Sequence, residues 1–482
     1  MGTVSRVAMD RPLYVGSRCI ADGPTAVVRD PWSGVELGRV VLATATDVEE
    51  AKAASVRGFE RLRTSTSFER KAMLLRVAQE VESLAEPFAE LIAREAGKPI
   101  ALARAEVTRA VSTFQLASEE AGRIGGEVMP LDITAASRGY TGFWVRVPAG
   151  PVLGISPFNF PLNLVAHKVA PALACGTSIV LKPPPQAPLT SLLLAECIRR
   201  SGVPGDAVQV LPCEVAIAET LVTDDRFATL SFTGSAAVGW RLKSISGKKR
   251  VLLELGGNAA VIVHDDAPLE WAADRVVAGA FGYAGQVCIK VQRLYVHRAI
   301  AERFVAKVVA RAQEVEPKSP LDPTALCGPM IDEANATRVE QWVAEAAAAG
   351  VRVACGGRRD GNRYWPTVLE VDGGGRGLKV VDEEVFGPVL TVHVYDTWDE
   401  ALTLADSTRY GLQAGIFTDS RARVAQAFAR LSVGGLVVND TPTFRVDSMP
   451  YGGTRDSGLG REGVRFAIME MTEPKLLVVR EG

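Results

Sequence analysis

From residue 150 onward, short apolar runs alternate with helix-like stretches, which confines the chain to parallel sheets wrapped by helices. Strands are expected at 152–155, 178–181, 208–211, 229–232 and 250–255, with helices near 163–175, 188–201, 214–223 and 236–246 between them. Such a frame commonly seats a dinucleotide at the carboxyl ends of its strands. After residue 258 the alternation restarts. Helices are expected near 268–285, 299–314, 333–349 and 420–431, and strands near 259–263, 291–297, 351–355, 376–381, 389–395 and 435–439. This second run reads as another α/β domain, and Gly350 closes its alanine-rich helix.

Residues 46–121 read as helical. Thr46-Asp-Val-Glu49 fits a capping box, and Val48, Ala51, Phe59 and Leu62 make one apolar face. Leu74, Val77, Ala78, Val81 and Leu84 make a second, and Gly97-Lys-Pro99 stops the helical stretch that follows. Residues 138–147 and the final segment 474–480 look like strands without a local partner. Either they pair across a subunit boundary or they extend the sheets of their own domains.

Length and composition narrow the classes. A chain of 482 residues, 47% hydrophobic and 23% charged, folds as two or three globular domains. Lysine plus arginine number 54 against 56 acidic residues, a net charge of −2, and no basic run offers a nucleic-acid surface. The seven cysteines (19, 175, 197, 213, 288, 327 and 355) never form C-x-x-C, so neither a disulfide framework nor a structural zinc site is expected. That usage fits a reducing, cytoplasmic setting. No apolar run is long enough for a membrane span, no signal peptide is evident, and Arg6 stands where a myristoylation motif wants Ser or Thr. No membrane partner is expected. His167, His264, His297 and His393 follow no metal-ligand spacing, so no metal is expected either.

Five segments carry chemistry. Cys288, in Phe281-Gly-Tyr-Ala-Gly-Gln-Val-Cys288-Ile, follows Glu254 of Leu253-Glu-Leu-Gly-Gly-Asn258 by 34 residues. A thiol and a carboxylate beside glycines suggest a nucleophile and a general base. Asn159, in Ile155-Ser-Pro-Phe-Asn-Phe-Pro161, could donate its amide to a developing oxyanion. Lys182, before Pro183-Pro-Pro185, could reach ribose hydroxyls or a phosphate. Phe232-Thr-Gly234-Ser-Ala-Ala-Val-Gly239 would offer free N–H groups to a pyrophosphate at a helix start. Each has a plainer reading alone: a core cysteine, a turn asparagine, a solvated lysine.

Together, in this order and at these separations, the segments resemble the aldehyde dehydrogenase superfamily from about residue 20 to 480. Glu383-Glu384-Val-Phe386-Gly-Pro388, Asn439 and Pro450-Tyr-Gly-Gly-Thr-Arg-Asp-Ser-Gly-Leu-Gly-Arg461-Glu-Gly463 extend the match. The resemblance implies an α/β fold with a Rossmann-like cofactor domain (1–131 and 148–253) and a second α/β catalytic domain (254–446). It also implies a small β oligomerisation extension (132–147 and 470–482), a Gly-rich loop and connecting segment (447–469), and a homodimer or homotetramer.

By the same similarity Cys288 attacks an aldehyde, Asn159 and the Cys288 backbone N–H hold the oxyanion, and Glu254 activates water against the resulting thioester. NAD or NADP would lie against Ile155, Ser156, Phe158, Lys182, Pro185, Gly234, Ser235, Gly239, Leu255, Glu384 and Phe386. NAD-preferring relatives often carry glutamate where Pro185 stands, and its loss makes NADP use plausible. The aldehyde tunnel would be lined by Arg109, Phe160, Asn163, His167, Val287, Ile289, Phe444 and Arg445. Two arginines suit an anionic tail. The pattern is similar to semialdehyde, lactaldehyde, phosphonoacetaldehyde and non-phosphorylating glyceraldehyde-3-phosphate dehydrogenases, although Val287 replaces an arginine found in some phosphate binders. A CoA-acylating semialdehyde dehydrogenase and a non-catalytic protein of the same fold are the alternatives.

Overall fold

The computed structural model describes residues 11–372 and 375–480. Five parallel strands form the centre of an eight-stranded sheet, in the order Val208–Val210, Ile179–Lys182, Val152–Ile155, Thr229–Thr233, Arg250–Glu254. Chain order reverses between Val152–Ile155 and Thr229–Thr233, leaving a crevice at their carboxyl ends. Alternate residues of each strand face opposite layers. Ile179 and Leu181 pack with helices Ser67–Ser83, Ile100–Ala121 and Asn163–Cys175, whereas Leu153, Val180 and Leu253 pack with Ala45–Leu62 and Ala236–Ile245.

A second sheet of seven strands repeats the plan. Its central order is Val389–Tyr395, Val291–His297, Ala259–Val263, Gln413–Phe417, Gly435–Val438, again parallel and again reversing beside the first strand in sequence. Only Leu255 to Asn258 separates the last strand of the first sheet from the first strand of the second. Carboxyl ends of one sheet therefore adjoin amino ends of the other.

Several expectations change. The capping box sits two residues earlier, on Thr44 and Asp47, because Thr44 is the residue with extended backbone there. Residues 376–381 are no strand: Lys379–Asp382 forms one helical turn, its start marked by Leu378. The helix expected to run to 285 stops at Phe281, after which Tyr283 and Ala284 adopt left-handed backbone (φ 54° and 51°). Strand Gln413–Phe417, central to its sheet, was not anticipated because Gly411 and Gly415 dilute its β signal. A Cβ at Gly415 would lie 2.7 Å from the Asp440 carbonyl, so the close approach excludes a side chain.

The two orphan strands neither extend a domain sheet nor lack a local partner. Tyr140–Pro148 pairs with Thr472–Arg480 along its whole length and with Gly126–Pro130 on its other edge. This three-stranded sheet stands apart, with Phe143 and Val145 on one strand and Leu476 to Val479 on another all more than two-fifths exposed.

Candidate active site

One cleft of about 470 Å³ lies where the carboxyl ends of the first sheet meet the amino ends of the second. Cys288, Glu254 and Asn159 all line it. Cys288 sits in the turn that enters strand Val291–His297, whereas Glu254 ends strand Arg250–Glu254 and Asn159 follows Val152–Ile155. Three distant segments thus converge through strand order alone.

The Cys288 sulfur is 3.1 Å from the Tyr451 hydroxyl. Burial pushes its thiol up to about 11, and the tyrosine contact and the Arg445 charge pull the other way. Asn159 donates one amide hydrogen to the Gln286 carbonyl at 3.0 Å, so the amide nitrogen is held two residues from Cys288 with a second hydrogen to spare. No hydrogen bond engages the Cys288 backbone N–H among the described residues. Two donors are free where an oxyanion would form.

Glu254 is buried, and neither carboxylate oxygen has a hydrogen-bond partner among the described residues. Burial and then the Glu462 charge raise its pKa well above the usual carboxylate range, against the opposing pull of Arg445 and Lys168. A Cβ on Gly452 would come within 2.9 Å of its Oε1, so that glycine leaves room for the carboxylate. Arg445 donates to Glu462 at 2.7 Å and stacks 3.7 Å over the Tyr451 ring. Lys168 bonds Ser231 and Thr233 and lies 3.7 Å from Glu462. Glu254 therefore faces a buried network of alternating charge.

A family model described as "Aldehyde dehydrogenase family" matches residues 20–477. The 3-sulfolactaldehyde dehydrogenase of Priestia aryabhattai is 41% identical over 468 residues, covering 97% of each chain. Aldehyde dehydrogenase 21 from Physcomitrella patens, solved with its product succinate, superposes with a TM-score of 0.96 at 40% identity, covering 98% of this chain and 99% of that one. Glyceraldehyde-3-phosphate dehydrogenase from Methanocaldococcus jannaschii, solved with NADP, gives 0.91 at 35% identity, covering 96% and 100%. The chain belongs to the aldehyde dehydrogenase family.

As an NAD(P)-dependent aldehyde dehydrogenase it must hold a dinucleotide, and the cleft walls fit one. Gly234 and Ser235 line the cleft, and Ser235 caps helix Ala236–Ile245 without spending its side chain on the helix. The first N–H groups of that helix are thus available to phosphate. Gly239 serves packing: a Cβ there would collide with Leu255. Glu384 also lines the cleft, its carboxylate accepting from the Gly257 N–H at 3.0 Å and raised to about 7 by burial. Phe386 has a left-handed backbone (φ 44°) and meets Phe158 edge-on at 6.0 Å.

Other expected contacts lie off the cleft wall. Ser156 is buried behind it, donating its N–H to the Lys182 carbonyl at 3.2 Å, with Ile155 beside it. Lys182 is buried at its strand end and Pro185 is exposed beyond it. Val287 packs against Phe158 and Tyr283, and Ile289 against Tyr451 and Leu412. The Phe160 ring covers the Lys98 ammonium at 3.5 Å, and Phe444 is about half exposed. Arg109 is part-buried and clasped by Asp447 at 2.7 Å and 3.2 Å. His167 and Asn163 reach the same carboxylate at 2.8 Å and 3.1 Å.

Asp447, Tyr451, Glu462 and Lys168 escaped the sequence reading. Tyr451 and Glu462 fall inside the glycine-rich segment that carried the resemblance, yet nothing in a linear pattern shows a side chain folding back onto residues 160 or more positions away. Gln186, Asn335 and Arg338 complete the cleft rim.

Proposed function

We propose that this enzyme oxidises a short aldehyde bearing an anionic tail to its carboxylic acid, with Cys288, Glu254 and Asn159 carrying the chemistry. The convergence of those three side chains in one cleft with Gly234 and Ser235 supports the reading. Cys288 releases its proton to solvent and, as the thiolate, adds to the carbonyl carbon. The spare Asn159 amide hydrogen and the Cys288 N–H receive the oxyanion. Gly234, Ser235, Glu384 and Phe386 would hold NAD(P), which would supply the hydride acceptor there. Glu254, buried and raised in pKa, then takes a proton from water as it attacks the thioester and passes that proton to the departing Cys288 sulfur.

For the tail, Arg109 spends only part of its fork on Asp447, leaving N–H groups for a sulfonate or carboxylate. The relatives named for 3-sulfolactaldehyde and solved with succinate act on such molecules. For the cofactor, no carboxylate stands at exposed Pro185 to repel a 2′-phosphate, which favours NADP. We assign cofactor binding to 1–131 and 148–253, catalysis to 254–446, and subunit contact to 132–147 and 470–482, with 447–469 as connector; 1–10, 373–374 and 481–482 lie outside the described residues. The exposed apolar strands Tyr140–Pro148 and Thr472–Arg480 support a homodimer or homotetramer. No helix among the described residues is long and apolar enough to cross a membrane, and unpaired thiols at all seven cysteines support a cytoplasmic setting.

A panel of sulfonated, carboxylated and neutral aldehydes, each assayed with NAD and NADP and with or without CoA, tests this. Highest kcat/KM is expected for an anionic aldehyde with NADP and no CoA requirement. Strict dependence on CoA, or preference for neutral aromatic aldehydes, overturns the assignment.

A further inference from the structure

We propose that the carboxyl edge of the second sheet, away from the catalytic cleft, holds a divalent metal ion of the zinc class on His264, Asp265 and His297. His264 directly follows strand Ala259–Val263 and His297 ends the neighbouring parallel strand Val291–His297, with Val263 paired to Val296. Strand pairing therefore brings the rings together at 4.6 Å between centroids, with their planes 69° apart. One donor atom from each of the three residues lies within 4.8 Å of the others, and no ion is present.

The hydrogen bonds around His264 already orient it as a ligand. Tyr395 donates its only hydroxyl proton to the Val263 carbonyl at 3.3 Å. Its oxygen must then accept from His264 Nδ1–H, 2.8 Å away. That places the lone pair of neutral His264 on Nε2, which lies 3.3 Å from Asp265 Oδ1. Ligand bonds of about 2.0–2.2 Å to a tetrahedral ion set donor separations of about 3.3–3.5 Å. The pair already has that separation.

His297 supplies the third ligand. Its Nδ1 now accepts a long cap bond from the Ala299 N–H at 3.3 Å. Asp265 is exposed, so water completes the coordination. Two imidazoles with one carboxylate suit zinc, cobalt or nickel and not calcium or magnesium, which prefer all-oxygen shells.

Cobalt(II) titration of chelator-treated enzyme tests the site, because cobalt on nitrogen and oxygen ligands gives visible d–d bands without the near-ultraviolet thiolate band that binding to Cys288 would add. One equivalent per chain is expected with d–d bands alone, with a rise in Tm on zinc addition. Tyr395→Phe should weaken binding about tenfold and His297→Gln or Asp265→Asn by more, with aldehyde oxidation unchanged. The exposed Asp265 keeps the test valid should a histidine variant fold poorly. Cobalt affinity equal to the parent's in both Asp265→Asn and His297→Gln, or bound cobalt showing only a thiolate band lost in Cys288→Ser, overturns the proposal.

Discussion

The two parallel sheets share one strand order yet meet the cleft by opposite edges. In the first, the crevice where chain order reverses is open, and Gly234, Ser235 and the Asn159 segment leave its strand ends toward the cleft. In the second, the equivalent crevice is filled: Asp266 bonds Thr418 Oγ1 at 2.9 Å, the Asp419 N–H at 3.2 Å and Arg423 at 3.2 Å. That sheet contributes Cys288 from its amino edge instead. The usual carboxyl-edge rule thus locates the cofactor wall but not Cys288. Joining the sheets through only Leu255 to Asn258 is what turns the second one around.

This division of labour can be broken experimentally, beginning with its most sensitive point. Cys288→Ser should lower kcat/KM by about a thousandfold or more, measured as NAD(P)H formation, because the attacking sulfur is gone. Glu254→Gln should reduce steady-state turnover about a hundredfold or more while single-turnover NAD(P)H formation falls much less. Equal loss in both phases would assign Glu254 to thiol activation as well. Arg109→Ala should cost roughly tenfold to a hundredfold in kcat/KM for an anionic aldehyde and little for a neutral one of the same length.

Smaller effects concern stability. Glu384 rises to about 7 in the folded chain from the ordinary carboxylate value of 4.5, so folding is helped by its bound proton below about pH 4.5 and that help fades up to about pH 7. Glu384→Gln should remove its share of that slope, roughly 1–3 kcal/mol, in denaturant titrations across the window. An unchanged slope would place the loss on Glu95, which burial also raises to about 7. Asp266→Ala should cost about 1–2 kcal/mol of stability yet leave kcat intact, showing that the second carboxyl edge serves structure and not the reaction.

Much of this was legible beforehand where local pattern suffices. The helix at Asn163–Cys175 and the strands at Val152–Ile155 and Ala259–Val263 sit at their expected bounds, because each is a compact apolar run between clear breakers. Strand Gln413–Phe417 was hidden by its glycines, and the turn at Lys379–Asp382 by an apolar run too short to distinguish helix from strand. In the cleft, Cys288, Glu254 and Asn159 stood out because unusual residues sat beside glycine or proline. Asp447 did not, since its meaning depends on Arg109 and His167, more than 270 residues away.

Residue order alone determined the layered α/β plan and set Cys288, Glu254 and Asn159 apart as candidates. Periodicity and local spacing encode those features directly. Which strand edge faces the cleft, which carboxylate clasps which arginine, and how the terminal strand pairs were decided by tertiary structure. Charge pairing and burial depend on distances through space, and those exist only once the chain has closed.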